Sequence, residues 1–267
     1  MTTPLFALVT GASAGIGAEF ARQLAADGNG LILTARRADR LEALAAELRS
    51  RHAIEVHCIP CDLADPRAPQ RLFDECAQRG LVVDMLVNNA GYGVTGSFLS
   101  RPWQTHADFI HVLMTAPAEL CHRFLPAMRE RGRGRIINVA SLAGHIPAPA
   151  GHTLYAASKA YLIKFSQALA LENRAYGVHV CALCPGFTHS EFHDVTGTRE
   201  QMKGMPRWLW MDADDVVRDG LAAVARGDSV RVSGRINRIV KALFKLLPDR
   251  VGAALIARQG KGFRDSN

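Results

Sequence analysis

The sequence predicts an α/β domain in which helices cover both faces of a parallel sheet. Short apolar runs, such as Leu5–Thr10 and residues 178–184, indicate buried strands, and stretches with helical apolar spacing separate them. Strands that alternate with helices are typical of a parallel, doubly wound sheet. A chain of 267 residues is long enough for one large domain of this kind or for two small ones.

Composition and charge are those of an ordinary globular protein. The chain is 48% hydrophobic and 21% charged, and no apolar run is long enough to span a bilayer. The first apolar run has no basic leader, so we expect no signal peptide and a cytoplasmic location. Between positions 226 and 264 there are ten Lys or Arg against two Asp, so this segment accounts for the whole of the net charge of +7 and the rest of the chain is near neutral.

The first predicted strand leads into a glycine-rich turn and then into a helical pattern. Gly11, Gly15 and Gly17 give the spacing G-x-x-x-G-x-G directly after Leu5–Thr10. Glycines let the backbone approach a pyrophosphate closely, and a helix N-terminus supplies N–H donors and a favourable dipole. This order predicts a dinucleotide site; the alternative is a plain tight turn.

Two arginines stand where the second predicted strand, residues 30–35, ends. An acidic residue at this position would bind the ribose 2′-hydroxyl of NAD, but the chain has Arg36 and Arg37. Two guanidinium groups suit a 2′-phosphate. We therefore predict NADP(H) rather than NAD(H); the alternative is that both arginines are solvated loop residues.

Two later strand ends carry further candidate contacts. Asp62 follows the third predicted strand, where it could accept a hydrogen bond from an adenine amino group or cap the next helix. The fourth predicted strand ends in Asn88-Asn89-Ala90-Gly91, whose small residues would let a ribose lie against the backbone. Both segments are expected at the sheet edge where open α/β sheets bind ligands.

Tyr155 and Lys159 are four residues apart, which on a helix places both side chains on one face, one turn apart. An ammonium beside a phenol favours the phenolate, so we expect Lys159 to lower the pKa of Tyr155. A Tyr tuned in this way can pass a proton to or from an oxygen atom. Alone, Y-x-x-x-K is a weak pattern that a surface helix pair would also produce.

Five motifs of the chain form a set with a definite order and spacing. They are Thr10-Gly11-x-x-x-Gly15-Ile16-Gly17, Asn88-Asn89-Ala90-Gly91, Ser141, Tyr155-x-x-x-Lys159 and Pro185-Gly186. The set resembles that of the short-chain dehydrogenase/reductase family over about residues 5 to 233. The resemblance implies one Rossmann-type doubly wound catalytic domain, residues 1–233, with a seven-stranded parallel sheet and helices on both faces. It also implies a homodimer or homotetramer.

The resemblance implies an NADP-dependent oxidoreductase that interconverts a ketone and its secondary alcohol. Ser141 would orient the substrate oxygen, Tyr155 would exchange a proton with it, and Lys159 would also hold the nicotinamide ribose. The cofactor would carry the hydride. The implied cofactor contacts are Gly11, Ser13, Gly15, Ile16, Gly17, Arg36, Arg37, Asp62, Leu63, Asn89, Ala90, Gly91, Tyr155, Lys159, Pro185, Gly186 and Thr188.

One position departs from the family pattern. Many members carry an Asn on the helix before the fifth strand, where it is thought to hold a water of the proton relay, and this chain has Leu113. Leu can neither donate nor accept a hydrogen bond. His111 points away from that position on a helix, so it is a weak substitute. The departure supports an alternative function, an NADP(H)-binding sensor or scaffold with impaired catalysis.

Apolar side chains predict a bulky, uncharged substrate. The variable segment 189–210 is rich in Met and Trp, of which apolar pockets are built; core packing is the alternative for its aromatic residues. The residues expected at the pocket are His189, Phe192, Met202, Met205, Trp208 and Trp210 of this segment, with Tyr92, Leu142, Ile146, Pro147 and Pro149.

No metal site is expected. The C-x-x-C pairs Cys58/Cys61 and Cys181/Cys184 lie in apolar runs that indicate buried strands. In a strand, residues i and i+3 point to opposite faces, so one metal cannot bind both. We expect these cysteines to be small buried hydrophobes in a reducing compartment.

The tail after the last predicted strand, residues 234–267, is predicted to be an amphipathic helical extension. Apolar residues between 236 and 247 recur at helical spacing with cations on the other face, and a second short helix follows Pro248. The tail could pack on the domain or a partner subunit, contact an anionic inner membrane surface through residues 234–258, or cover the substrate site. Nucleic-acid binding is not expected, because the cations do not alternate with base-stacking aromatics.

Overall fold

The computed structural model describes residues 4–191 and 206–259. In these residues, seven parallel strands form the main sheet and two short parallel strands form a separate pair. The strands are β1 (Leu5–Thr10), β2 (Gly30–Thr34), β3 (Val56–Cys58), β4 (Val82–Asn88), β5 (Gly134–Val139), β6 (Val178–Cys184), β7 (Phe187–Thr188), β8 (Trp210–Met211) and β9 (Val230–Val232). The main sheet has the order β3-β2-β1-β4-β5-β6-β9, and β7 pairs with β8.

Helices cover both faces of the main sheet, as the sequence predicts. Phe20 and Leu41 pack one set of helices on one face, and Leu72 and Phe124 pack a second set on the other. The described helices are α1 (Gly15–Ala26), α2 (Ala38–Arg51), α3 (Ala68–Gln78), α4 (Trp103–Ile110), α5 (Ala116–Glu130), α6 (Thr153–Asn173), α7 (Ala213–Ala225), α8 (Arg235–Leu246) and α9 (Asp249–Gln259). None of them is long and apolar enough to cross a membrane.

The strand order places a crevice at the carboxyl ends of β1 and β4. From β1 the chain builds outward through β2 and β3, and it then returns to β1 and builds outward on the other side from β4. The helices that follow β1 and β4 therefore leave the sheet in opposite directions. In open α/β sheets ligands bind at this reversal of strand order.

A π-helical turn, His111–Thr115, joins α4 to α5. It places Val112 and Leu113 in a buried cluster with Phe109 and Leu63. Such turns hold one residue more than an α-helical turn and are frequent near functional sites. The sequence pattern did not predict this turn.

The third predicted strand is shorter than its apolar run, since β3 contains only Val56–Cys58. Cys58 and Cys61 are half-buried, so the expectation that all four C-x-x-C cysteines are buried is wrong for this pair. Cys181 and Cys184 are buried in β6 as predicted. The difference arises because β3 lies at the edge of the sheet, where only one side is paired.

Candidate active site

A cavity of about 750 Å³ opens at the crevice between β1 and β4. Much of its wall is formed by residues that follow the carboxyl ends of six strands of the main sheet, β1 to β6. All of the predicted catalytic and cofactor-binding residues except Gly17 line it: Gly11, Ser13, Gly15, Ile16, Arg36, Arg37, Asp62, Leu63, Asn89, Ala90, Gly91, Ser141, Tyr155, Lys159, Pro185, Gly186 and Thr188.

The three glycines of the turn after β1 have two different roles. Gly11 and Gly15 have φ values of 67° and 55°, a left-handed conformation that L side chains rarely adopt. A Cβ at Gly17 would collide with the carbonyl oxygen of Gly11 and with Nδ2 of Asn89. The absence of a side chain at Gly17 therefore lets α1 pack closely against the turn. Gly11 and Gly15 allow the left-handed backbone of the turn, which lines the cavity.

Thr10 ties the glycine turn to the segment after β4, a role that sequence reasoning missed. Its hydroxyl accepts hydrogen bonds from the backbone N–H groups of Asn89 (2.9 Å) and Ala90 (3.0 Å) and donates to the carbonyl of Val87 (3.2 Å). The amide of Asn89 donates in return to the carbonyl oxygen of Thr10 (2.9 Å). These bonds fix both walls of the crevice relative to each other.

The predicted phosphate-binding arginines lie at the end of β2. Arg37 donates to the hydroxyl of Ser13 through Nη2 (3.1 Å) and to the carboxylate of Glu191 through Nη1 (3.2 Å). Glu191 also accepts from Arg40 (2.8 Å). Arg36 is exposed and makes no hydrogen bond or ion pair with any residue that the structure describes. A free guanidinium beside an Arg–Ser pair fits a phosphate monoester.

Asp62 shapes the turn after β3 and does not cap the next helix. Its Oδ1 accepts from the backbone N–H of Ala64 (3.0 Å), whereas Asp65 accepts from Arg67, the residue before α3 (2.9 Å). Asp62 lines the cavity beside Leu63, so an adenine contact is compatible with its position.

Ser141 and Tyr155 are brought together from different elements. Ser141 follows β5 and directly precedes the 3₁₀ turn Leu142–His145. Its Oγ accepts a hydrogen bond from the backbone N–H of Ala143 in that turn (3.1 Å). Tyr155 lies in the first turn of α6 and shares a hydrogen bond with Ser141. Both residues line the cavity, so the pair presents two hydroxyls at its wall.

The expectation of a lowered pKa for Tyr155 is wrong, because the pKa of the phenol is raised and Lys159 is not among the groups that shift it. Burial raises the pKa of Tyr155 to about 12, and the hydrogen bond with Ser141 opposes this only in part. Desolvation penalises the phenolate more than any neighbour stabilises it. Tyr155 is therefore a protonated phenol at neutral pH, which suits it to donate a proton.

Lys159 is buried in α6 and directed at the sheet. Its Nζ donates to the carbonyl oxygen of Val139, the last residue of β5 (2.8 Å), and lies 5.6 Å from the centre of the Tyr155 ring. Burial lowers the pKa of Lys159 to about 8. The ammonium is thus held at the cavity wall by a backbone acceptor that the sequence spacing did not indicate.

Gly186 is covered by a side chain from the C-terminal helices. A Cβ at Gly186 would lie 2.6 Å from Oδ1 of Asn237, which is buried in α8 and donates to the carbonyl of Ser233 (2.8 Å). Thr188 donates to the carbonyl of Gly186 (3.2 Å). The segment after β6 is therefore packed between the cavity and α8.

Apolar side chains form part of the cavity wall. Tyr92, Leu142, Ile146 and Pro149, which the sequence predicts at a substrate pocket, line the cavity. Phe187, His152 and Ile256 also line it; Ile256 belongs to α9, and its apolar spacing in the tail was the one signal for it.

Other residues of the predicted pocket lie elsewhere. Four of them do not line the cavity: Pro147, His189, Trp208 and Trp210. Pro147 faces Gly252 of α9, the rings of His189 and Trp210 stack with their centres 4.8 Å apart, and Trp208 is exposed. Phe192, Met202 and Met205 lie outside the described residues.

Leu113 is buried in the π-helical turn and faces the cavity wall from behind. Its Cγ would lie 3.7 Å from a Cβ placed at Gly91. His111 precedes it, has a buried Nε2 without a hydrogen-bond partner among the described residues, and does not line the cavity. The structure therefore does not place His111 where a substitute for the missing amide would be needed.

Comparisons with known proteins agree with this architecture. Residues 5–201 match the family model described as short chain dehydrogenase. An "Uncharacterized oxidoreductase" of Myxococcus xanthus is 35% identical over 224 residues, which cover 84% of this chain and 85% of that protein.

Two solved structures are similar over nearly the whole fold. A short-chain dehydrogenase from Sphingobium yanoikuyae in complex with NADPH has a TM-score of 0.79 and 28% identity, covering 92% of this chain and 96% of that one. The bulky-bulky ketone specific alcohol dehydrogenase from Comamonas testosteroni has a TM-score of 0.76 and 27% identity, and the match again covers 92% of this chain and 96% of that one.

Proposed function

Because the chain belongs to the short-chain dehydrogenase/reductase family, we propose that it is an NADP(H)-dependent oxidoreductase that interconverts a hydrophobic ketone and its secondary alcohol. The observation that carries this proposal is the single cavity that joins Ser141, Tyr155 and Lys159 to the glycine turn and the arginine pair. A hydride acceptor, a proton donor and a cofactor must meet at one place, and this cavity offers that place.

The glycine turn, the arginine pair and the polar residues that follow the other strands would hold the cofactor. When bound, NADPH supplies the hydride. Arg36 and the Arg37–Ser13 pair would bind the 2′-phosphate, and the backbone of Gly11 and Gly15, with the N-terminus of α1, would face the pyrophosphate. The remaining contacts would be Asp62 and Leu63 near the adenine, residues 89–91 at a ribose, and the segment 185–188 at the nicotinamide end.

The proton would pass through Tyr155. Its high pKa keeps the phenol protonated at neutral pH, so it can donate to the alkoxide that forms on the substrate. Ser141, hydrogen-bonded to Tyr155, would orient the same oxygen. The Lys159 ammonium, fixed by the Val139 carbonyl, would add positive charge at the cavity wall and hold the nicotinamide ribose.

The apolar side chains of the cavity wall would face the substrate. Leu142, Ile146, Pro149, Phe187 and Ile256 line the cavity, and side chains of this kind favour a bulky, uncharged ketone. The solved relative from Comamonas testosteroni is described as specific for bulky-bulky ketones, which supports the same substrate class. We further propose a homodimer or homotetramer, as the family resemblance implies. Membrane contact is a separate proposal that rests on the C-terminal helices.

A titration of the purified protein with NADPH and with NADH, followed by cofactor fluorescence, tests the cofactor assignment without knowledge of the substrate. We expect tight binding of NADPH and much weaker binding of NADH. A screen of bulky ketones with NADPH then tests the reaction. Equal affinity for both cofactors would refute the role of Arg36 and Arg37, and binding without turnover on any ketone would favour the sensor or scaffold alternative.

A further inference from the structure

The two C-terminal helices present an apolar surface that no described residue covers. Leu246 is 83% exposed, Ile239 59% and Leu243 56%, although α8 has the apolar spacing of a buried helix. α9 adds two half-exposed aliphatic side chains. We call this set the C-terminal apolar surface: Ile236, Ile239, Leu243, Leu246, Val251 and Leu255.

The opposite side of the same helices is fastened to the domain. Asn237 is buried against Gly186, a Cβ at Gly252 would lie 3.3 Å from Cγ of Pro147, and Ile256 is buried at the cavity wall. α8 and α9 therefore lie on the domain with half of their apolar stripe facing inward. The outward half cannot turn in without breaking these contacts.

Cations occupy much of the remaining circumference of α8. Arg235, Arg238 and Lys245 of α8 are exposed, Lys241 is half-buried, and the sequence of α8 contains no Asp or Glu. A helix with an apolar face and a basic polar side is typical of helices that lie in the plane of a membrane interface. Each Lys or Arg near an anionic surface contributes about 1 kcal/mol to binding.

We propose that the C-terminal apolar surface docks on an anionic lipid membrane. The alternative occupant is the same surface of a second copy of this chain. A two-fold interface places the same patch on both sides, so it would bring together two copies of α8, each of which carries four cations and no carboxylate. An anionic lipid surface meets both the apolar side chains and the cations.

Docking would bring the part of the cavity wall that α9 forms close to the lipid. α9 contributes Val251 and Leu255 to the surface and Ile256 to the cavity wall. A lipophilic ketone dissolved in the bilayer would then reach the cavity past α9 without crossing water. This second step rests on the proposed function, whereas docking itself does not.

Co-sedimentation with vesicles tests the docking. The full chain is mixed with vesicles of phosphatidylcholine alone or of phosphatidylcholine with phosphatidylglycerol in about equal amounts. We expect binding to the anionic vesicles that weakens as salt is added. The double variant L243D/L246D should lose it, and R238Q/K245Q should weaken it roughly tenfold or more, from about 1 kcal/mol per cation.

Matched controls separate docking from folding and from catalysis. The variant L99D/L171D replaces two leucines that are 90% and 78% exposed and lie outside the surface, so it should bind vesicles like the unchanged chain. NADPH titration without vesicles checks that each variant is folded and that the cofactor site works. Absence of sedimentation with anionic vesicles, equal binding to neutral ones, or a change of oligomeric state in L243D/L246D without vesicle binding would each overturn the proposal.

Discussion

The ammonium of Lys159 donates a hydrogen bond to the carbonyl oxygen of Val139 at 2.8 Å, which anchors the middle of the site to the end of β5. The same ammonium lies 5.6 Å from the centre of the Tyr155 ring. The two side chains share a helix face, but the backbone of the sheet, and not the phenol, holds the Lys. This arrangement decides what each group can do as pH changes.

Tyr155→Phe should lower turnover of a ketone substrate by about 10²- to 10⁴-fold, the usual contribution of a general acid. NADPH affinity should stay close to that of the unchanged protein, because the ring is retained. Tyr161→Phe is the matched control, since Tyr161 lies on the same helix, stacks on Phe165 and does not line the cavity. Turnover that survives in Tyr155→Phe would rule out the proposed proton donor.

The rate of ketone reduction should fall as pH rises past about 8. Burial lowers the pKa of Lys159 to about 8, so its ammonium is present below that pH and lost above it. Tyr155, whose pKa is about 12, stays protonated throughout and adds no second limb. The measurement is kcat/KM against pH for the unchanged protein and for Lys159→Met, which should lack the limb. A profile that stays flat well beyond pH 8 contradicts this assignment.

Arg37→Gln should weaken NADPH binding roughly ten- to a hundredfold, the effect of losing a hydrogen bond between charged groups. NADH affinity should change little, because NADH lacks the phosphate. Arg40→Gln is the control, since Arg40 shares the Glu191 partner but does not line the cavity. If both cofactors weakened equally, Arg37 would be supporting the cavity wall and not selecting the cofactor.

Gly186→Ala should lower the free energy of unfolding by about 1–3 kcal/mol, because the new methyl group overlaps the buried side chain of Asn237. In the double variant with Asn237→Ala, the space vacated by the amide should accept that methyl. The combined loss should therefore be smaller than the sum of the single losses, as expected for residues in contact. Urea unfolding of the four proteins measures this; strict additivity would show that the two positions do not interact.

Much of the fold was predictable because buried parallel strands have continuous apolar runs. β1 has the bounds that its run, Leu5–Thr10, indicates. Strand β3 is shorter than its apolar run because it lies at the sheet edge and pairs on one side only. An apolar run does not indicate which strand lies at an edge. The residues of the π-helical turn, His111–Thr115, carry no sequence pattern that distinguishes them from a continuous α-helix, so the turn was not predicted.

The candidate site was predictable as a set of residues but not as a set of interactions. The motifs identify Ser141, Tyr155 and Lys159, yet the pKa of Tyr155 depends on desolvation, which spacing does not encode. The contacts of Val139 and Ile256 with the site arise from distant parts of the chain meeting in the fold. The helical period of α8 predicted an apolar stripe without indicating that half of it faces outward.

The π-helical turn makes changes of chain length unequal along this pair of helices. Because it holds one residue more than an α-helical turn, deleting one residue between positions 111 and 115 would leave Leu120 and Phe124 facing the sheet. A deletion in the middle of α5 would rotate every later residue by about 100° and carry Phe124 away from the sheet. Single-residue deletions in homologous chains should therefore collect at this turn, behind Gly91 and the cavity wall.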